Sequence, residues 1–239
     1  GGVGAAVARG LAGAGYHVVI TDLDASACDA VAEEIAKSGG RAEGIALDVT
    51  DRAAVEAVFA AQDDKGGIDT LVTSAAIVKA APILDFDPDN WARILDGNLT
   101  GTFHCCQIAG RRMVEAGFGR IITISSVNGQ IANSYRGAYS CTKGGVDTLT
   151  RLLAAELGAK GVTANAVAPT PVDTPMILKV HGEKDRKRWT DQIPAARYAQ
   201  PEEVAAAVAF LASEEAAYIN GHILNLDGGF MASGILLDR

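Results

Sequence analysis

The sequence predicts an α/β domain built as a doubly wound parallel sheet with helices on both faces, three layers in all. Three observations carry this. Short strand-like apolar runs alternate with Ala-rich stretches of helical period almost from end to end. Such alternation reads as successive βαβ units. The 239 residues suit one domain with a full core, and no internal repeat or low-complexity segment divides them.

Taken in order, Gly1-Gly2-Val3-Gly4 leads directly into a helix over 5–14. A glycine turn that opens a helix normally follows a strand, so the reading expects a first strand, about a dozen residues with its turn, ahead of Gly1. A strand follows at 17–21, then a helix over 25–38 capped by Asp24. Strand 42–47 and helix 51–64, with Thr50 as its expected cap, complete the next unit. Strand 68–73 precedes a long helix over 89–116, and strand 120–125 precedes another over 138–160. After strand 162–167 comes the one long stretch without strand pattern, about 170–199, charged and carrying Trp189. A segment of that length after a strand suggests a substrate loop or lid. Gln200-Pro201-Glu202-Glu203 opens a helix over 201–212, with Pro and acids in its first turn, and strand 222–226 ends the pattern.

Composition narrows the function. A net charge of −8 disfavours a nucleic-acid partner, and no apolar run has the length of a membrane span. Cys28, Cys105, Cys106 and Cys141 form neither a CxxC motif nor a disulfide framework, as expected of reduced thiols in a cytoplasmic protein. His104-Cys105-Cys106 are adjacent on a helix and point apart, which favours packing over metal binding, and no metal site is expected. Arg111-Arg112 and the charges from Glu183 to Arg188 read as solvated surface, with an anion-binding role for the latter loop, which would favour an acidic substrate, as the alternative.

The chemistry gathers around Tyr139 and Lys143, four apart on one helix face, with Ser126 at the end of strand 120–125. In open α/β sheets ligands bind at the carboxyl ends of strands. A lysine ammonium lowers the pKa of a neighbouring phenol, and a serine hydroxyl there can orient a substrate oxygen.

Ser126, Tyr139 thirteen positions on and Lys143 four beyond that resemble the signature of the classical short-chain dehydrogenase/reductases, and the resemblance runs the length of the chain. It implies a Rossmann-type fold and a catalytic set of Asn98, Ser126, Tyr139 and Lys143, with Asn98 acting through a bound water and Lys143. Gly2-Val3-Gly4 resembles the end of the family's glycine turn, Asp48-Val49 its adenine-holding pair, and Pro169, Val172 and Thr174 its nicotinamide segment. Asn220-Gly221-His222 through Asp227-Gly228-Gly229 is similar to its last strand and ending. Thr73-Ser74-Ala75-Ala76 stands where the family usually has NNAG, and Thr170 where glycine usually follows Pro169. Both departures are expected to restrict the backbone near the cofactor. The implied cofactor contacts are Gly2, Val3, Gly4, Asp22, Leu23, Asp48, Val49, Ser74, Ala75, Tyr139, Lys143, Pro169, Val172 and Thr174.

Asp22 lies eighteen residues after Gly4 and closes strand 17–21, where an acid would bond both ribose hydroxyls of NAD and repel a 2′-phosphate. Arg9 is the only close basic residue. The expectation is an NAD-dependent oxidoreductase acting on a small secondary alcohol, polyol or hydroxy acid. The alternatives are a 3-oxoacyl-(acyl-carrier-protein) reductase using NADPH and an idle dinucleotide sensor. The resemblance further implies a homotetramer joined through the helices near 90–116 and 138–160 and the last strand. The substrate pocket is expected from about 127–135, with Tyr135 lining it, from 170–199, and from the end of the chain, Phe230 to Arg239.

Overall fold

Runs rich in isoleucine, valine and alanine form the centre of the molecule. A computed structural model describes residues 1–234, so the last five residues of the expected pocket wall lie outside the described residues. The strands are β1 (His17–Asp22), β2 (Arg41–Ala46), β3 (Thr70–Thr73), β4 (Gly119–Ile124), β5 (Val162–Pro169) and β6 (Ile223–Leu226). All pair in parallel, β1 with β2 in one sheet and β3-β4-β5-β6 in the other. Every residue of β4 and β5 is buried, as strands covered on both faces must be. No ladder joins β1 to β3, but Val18 of β1 and Val72 of β3 pack on the same apolar core.

The helices are α1 (Gly2–Gly13), α2 (Ala25–Lys37), α3 (Arg52–Asp63), α4 (Pro88–Leu95), α5 (Gly101–Ala116), α6 (Gly137–Leu157), α7 (Pro175–Val180), α8 (Glu183–Gln192) and α9 (Pro201–Ala212). α1 and α9 bury Ala6, Val7, Leu11, Val204, Ala205 and Val208 in that core. A Cβ on Gly10 would come within 3.1 Å of the Ala205 Cβ, so glycine sets how closely the two helices approach. α6 buries Ala138, Thr142, Val146, Thr150 and Ala154, four apart, and this stripe lies on the sheet, where Thr150 and Thr123 hydroxyls meet at 2.8 Å. Cys105 and Cys106 pack in a second core with Ile108, Met113 and Ile121.

Three expectations change. The cap of α3 is Asp51, which accepts from Ala53 and Ala54 N–H; Thr50 is held instead by the Asp48 carboxylate, through its N–H at 2.9 Å and its hydroxyl at 2.7 Å. The long helix over 89–116 is interrupted by a π-helical segment, Asp96–Thr100, between α4 and α5. The stretch 170–199 carries two helices, α7 and α8, over a base closed by a parallel bridge between Val172 and Ala199. Arg186 of α8 grips Asp173 at that base through two bonds of 2.6 Å.

Candidate active site

The carboxyl ends of β4 and β5 meet the start of α6. Ser126 leaves β4 in extended backbone and is buried; its hydroxyl accepts from Asn128 N–H at 3.2 Å and donates to the Pro169 carbonyl at 3.4 Å. The next turn, Val127–Gly129, lies directly on α6: a Cβ on Gly129 would stand 2.7 Å from the Lys143 carbonyl carbon. That close approach sets Ser126 beside the Tyr139 phenol, near enough to lower its pKa. Ser125 instead satisfies the backbone, donating to the Lys143 carbonyl at 3.4 Å.

Burial pushes the Tyr139 phenol up, while the Ser126 hydrogen bond and the charge of Arg136 pull it down. Lys143 is buried at 3% exposure, with Nζ 2.7 Å from the Ile124 carbonyl and 5.6 Å from the Tyr139 ring centre. Burial pushes its pKa down to about 8, against the pull of Asp147 one turn on. Asn98, in the π segment, is fully buried. It accepts from Ile77 N–H at 2.8 Å and donates to the Ile77 carbonyl and to the Thr142 hydroxyl. It therefore reaches α6 directly through Thr142, beside Lys143, a residue that spacing in the sequence did not single out.

A second group of predicted residues converges at the start of α1. Its cap, Gly1, gives no side-chain bond to the first turn, and the first intrahelical bond is from Ala5 to Gly1, so the N–H groups of Gly2, Val3 and Gly4 have no partner within the helix. A Cβ on Gly2 would stand 2.8 Å from Thr174, and one on Gly4 would stand 3.6 Å from Ser74. The Asp22 carboxylate is 3.2 Å from the Gly1 nitrogen. A helix N-terminus with no acid in its first turn, glycine at positions 2 and 4, and Ser74, Thr174 and Asp22 beside it suits the diphosphate and ribose of a dinucleotide. Leu23, Asp48 and Ala75 are exposed. Val49 packs against Gly101, and its carbonyl meets His104 Nδ1 at 3.1 Å. Val172 turns its side chain into the core, so only its main chain is available to a ligand. Ala76 and Thr170 both keep negative φ, so neither departure from glycine strains the backbone.

A family model described as enoyl-(acyl carrier protein) reductase matches residues 1–231. The chain is a classical short-chain dehydrogenase/reductase. D-threitol dehydrogenase of Mycolicibacterium smegmatis is 39% identical over 230 residues, 96% of this chain and 88% of the relative. A 3-oxoacyl-(acyl-carrier-protein) reductase of Aquifex aeolicus is 40% identical over 230 residues, 95% and 92% of the two chains. The crystal structure of a gluconate 5-dehydrogenase from Burkholderia cenocepacia, in complex with NADP and tartrate, superposes with a TM-score of 0.92 at 33% identity over 97% and 92% of the chains. This dehydrogenase/reductase is thus an oxidoreductase of a family that uses a nicotinamide dinucleotide. Its cleft also contains groups the sequence did not flag, Arg136 above all, whose neighbour His181 lies 45 residues away.

Proposed function

We propose that this chain oxidises the secondary alcohol of a small polyol or hydroxy acid to the ketone with NAD, in a reversible reaction. The observation that carries the reading is the gathering of buried Ser126, the Tyr139 phenol and, one helical turn on, the buried Lys143, whose Nζ is 5.6 Å from the Tyr139 ring centre. When bound, the dinucleotide supplies the hydride acceptor, held by the bare first turn of α1 (Gly2, Val3, Gly4), Ser74, Thr174 and the loop after β5. Ser126 orients the substrate oxygen, and Tyr139 Oη takes its proton. Bringing a phenol from about 10 to near neutrality takes about 4 kcal/mol. An ammonium 5.6 Å from the ring centre contributes about 3 kcal/mol at an effective dielectric of about 20. Asn98 fixes the turn of α6 from which Tyr139 and Lys143 project and supports the proton's onward path.

Asp22 supports NAD over NADP. Its side chain is 43% exposed and so reaches a ribose. Arg9, the basic residue that could neutralise a 2′-phosphate, is committed to Glu34 at 3.0 Å. The threitol dehydrogenase relative supports a polyol-sized substrate. The 40% identity to the 3-oxoacyl reductase favours a second reading, an acyl-thioester reductase using NADPH, which Asp22 opposes.

Exposed Phe103 on α5 and Leu152 on α6 support assembly as a homotetramer through these helices and the last strand. Cys28, Cys105 and Cys106, free and buried, support a cytoplasmic protein, and no helix among the described residues is long and apolar enough to cross a membrane. The test is Tyr139→Phe against a panel of polyols and hydroxy acids, with NAD and NADP compared. Loss of turnover by at least about 100-fold is expected. Unchanged turnover returns the chain to a dinucleotide-binding scaffold.

A further inference from the structure

Arg136 stands where three walls of the cleft meet. It is the residue before α6, one helical turn ahead of Tyr139, and its charge reaches the catalytic phenol. On one side, the loop after β3 presses on this corner: Ala81 N–H donates to the Tyr135 carbonyl at 3.2 Å, and a Cβ on Gly137 would stand 2.8 Å from Ile83. On the other side, α7 ends at His181, whose Nε2 lies 3.5 Å from an Arg136 nitrogen. Tyr135 takes φ 65°, a left-handed conformation that a bulky residue adopts only under constraint, and this turn aims Arg136.

The pairing fixes a protonation state. A guanidinium can only donate, so His181 Nε2 must accept, and Nδ1 then carries the hydrogen toward the buried Tyr198 hydroxyl at 2.9 Å. Neutral His181 is thus a latch on a cation. Arg186, the other guanidinium nearby, is already neutralised by Asp173. Among the described residues no carboxylate lies within ion-pair distance of Arg136, and His181 is the one side chain that its guanidinium bonds. In a chain of net charge −8, an uncompensated cation beside the catalytic phenol attracts an anion.

We propose that Arg136, latched by His181, binds a carboxylate of the substrate, so that the substrate is a hydroxy acid whose acid group lies a few bonds from the secondary carbinol facing Tyr139. Arg136 and Tyr139 are three residues apart at the start of α6, so one small molecule can face both. The inference rests on the alcohol oxidation proposed above and chooses between its two substrate classes. A neutral polyol would leave four guanidinium N–H groups without an anionic partner, whereas a carboxylate takes two of them side by side.

The test uses matched acid and alditol pairs, from glycerate and glycerol to gluconate and glucitol. Binding to the full chain saturated with NADH is measured by calorimetry, and oxidation with NAD is measured separately. Wild type is expected to bind the acid of at least one pair about tenfold or more tighter than its alditol. Arg136→Gln is expected to weaken that acid about 30-fold while changing its alditol less than about twofold. Arg136→Lys should recover part of the loss, and His181→Leu should show a smaller, acid-selective loss. Equal binding within every pair by wild type overturns the proposal, as does an Arg136→Gln loss shared by acid and alditol. Tyr139→Phe separates the two readings: turnover should vanish while acid-selective binding remains, and unchanged turnover overturns the alcohol oxidation alone.

Discussion

The Val127–Gly129 turn sits against α6 with no room for a side chain at Gly129, and this contact sets Ser126 relative to Tyr139 in the proposed catalytic site. A Cβ on Gly129 falls 2.7 Å from the Lys143 carbonyl carbon and 2.9 Å from both the Gly144 nitrogen and the Lys143 oxygen. Ordinary contact begins at 3.4 Å, so Gly129→Ala must move the turn by roughly 0.7 Å, the difference between 3.4 and 2.7. The atoms it meets are helix backbone and cannot swing aside, so Ser126, three residues earlier, is displaced from Tyr139. Overpacking of this kind costs about 1–3 kcal/mol, which lowers Tm by about 2–12 °C in a chain of this size. A shift near 1 Å at a reacting centre costs about 100-fold in rate, so a 10- to 100-fold fall in kcat is expected, roughly in proportion. KM for the dinucleotide should change less than about twofold, because the bare first turn of α1 is untouched. Initial rates of NADH formation and thermal melts followed by circular dichroism measure both effects. A Gly129→Ala enzyme with wild-type kcat and Tm would refute the idea that this contact holds Ser126 against Tyr139.

Two further outcomes follow from other parts of the molecule. Asp22→Ser removes the charge proposed to face the ribose, so the NAD-to-NADP ratio of kcat/KM should fall by about tenfold or more; an unchanged ratio would show that Asp22 does not select the dinucleotide. His181 is held below its ordinary value of 6.5, first by burial and then by the Arg136 charge. The unfolded chain therefore takes up this proton first as pH falls. The stability His181 contributes is complete above about pH 6.5 and is lost as pH drops toward its folded value. Between pH 7 and 5, Tm of the wild type should fall further than that of His181→Gln, and parallel melting curves would contradict the assignment of Nε2 as acceptor.

What could be read from sequence follows from which interactions are local. β4 and β5 were legible as apolar runs because sheet-centre strands need little else. Ser126, Tyr139 and Lys143 were legible because one strand end and one helix turn fix their spacing. The cap of α3 was misread because the Asp48 side chain claims Thr50, a competition between two short polar side chains that a cap rule alone does not weigh. α7 and α8 escaped notice because neither buries a residue, so no apolar stripe marks them. Arg136 and His181 meet only when the segment after β5 folds back over the cleft, and nothing in the intervening residues signals the meeting.

The π segment has a consequence for the register of everything after it. Gly101 N–H bonds to the Asp96 carbonyl, five residues back, where an α-helix would reach back four. One residue is thereby absorbed without advancing the spiral, an offset of about 100° in the facing of all later side chains. The buried stripe of Cys105, Cys106, Ile108, Ala109 and Met113 faces the core because of that offset. Removing a single residue within Asp96–Thr100 would let the segment close into α-helix and leave α5 correctly turned, with Asn98 no longer swung inward. The same deletion anywhere inside α5 would rotate the rest of the helix out of the core. The segment acts as a phase corrector, and it spends its extra residue where the helix presents an amide to the cleft.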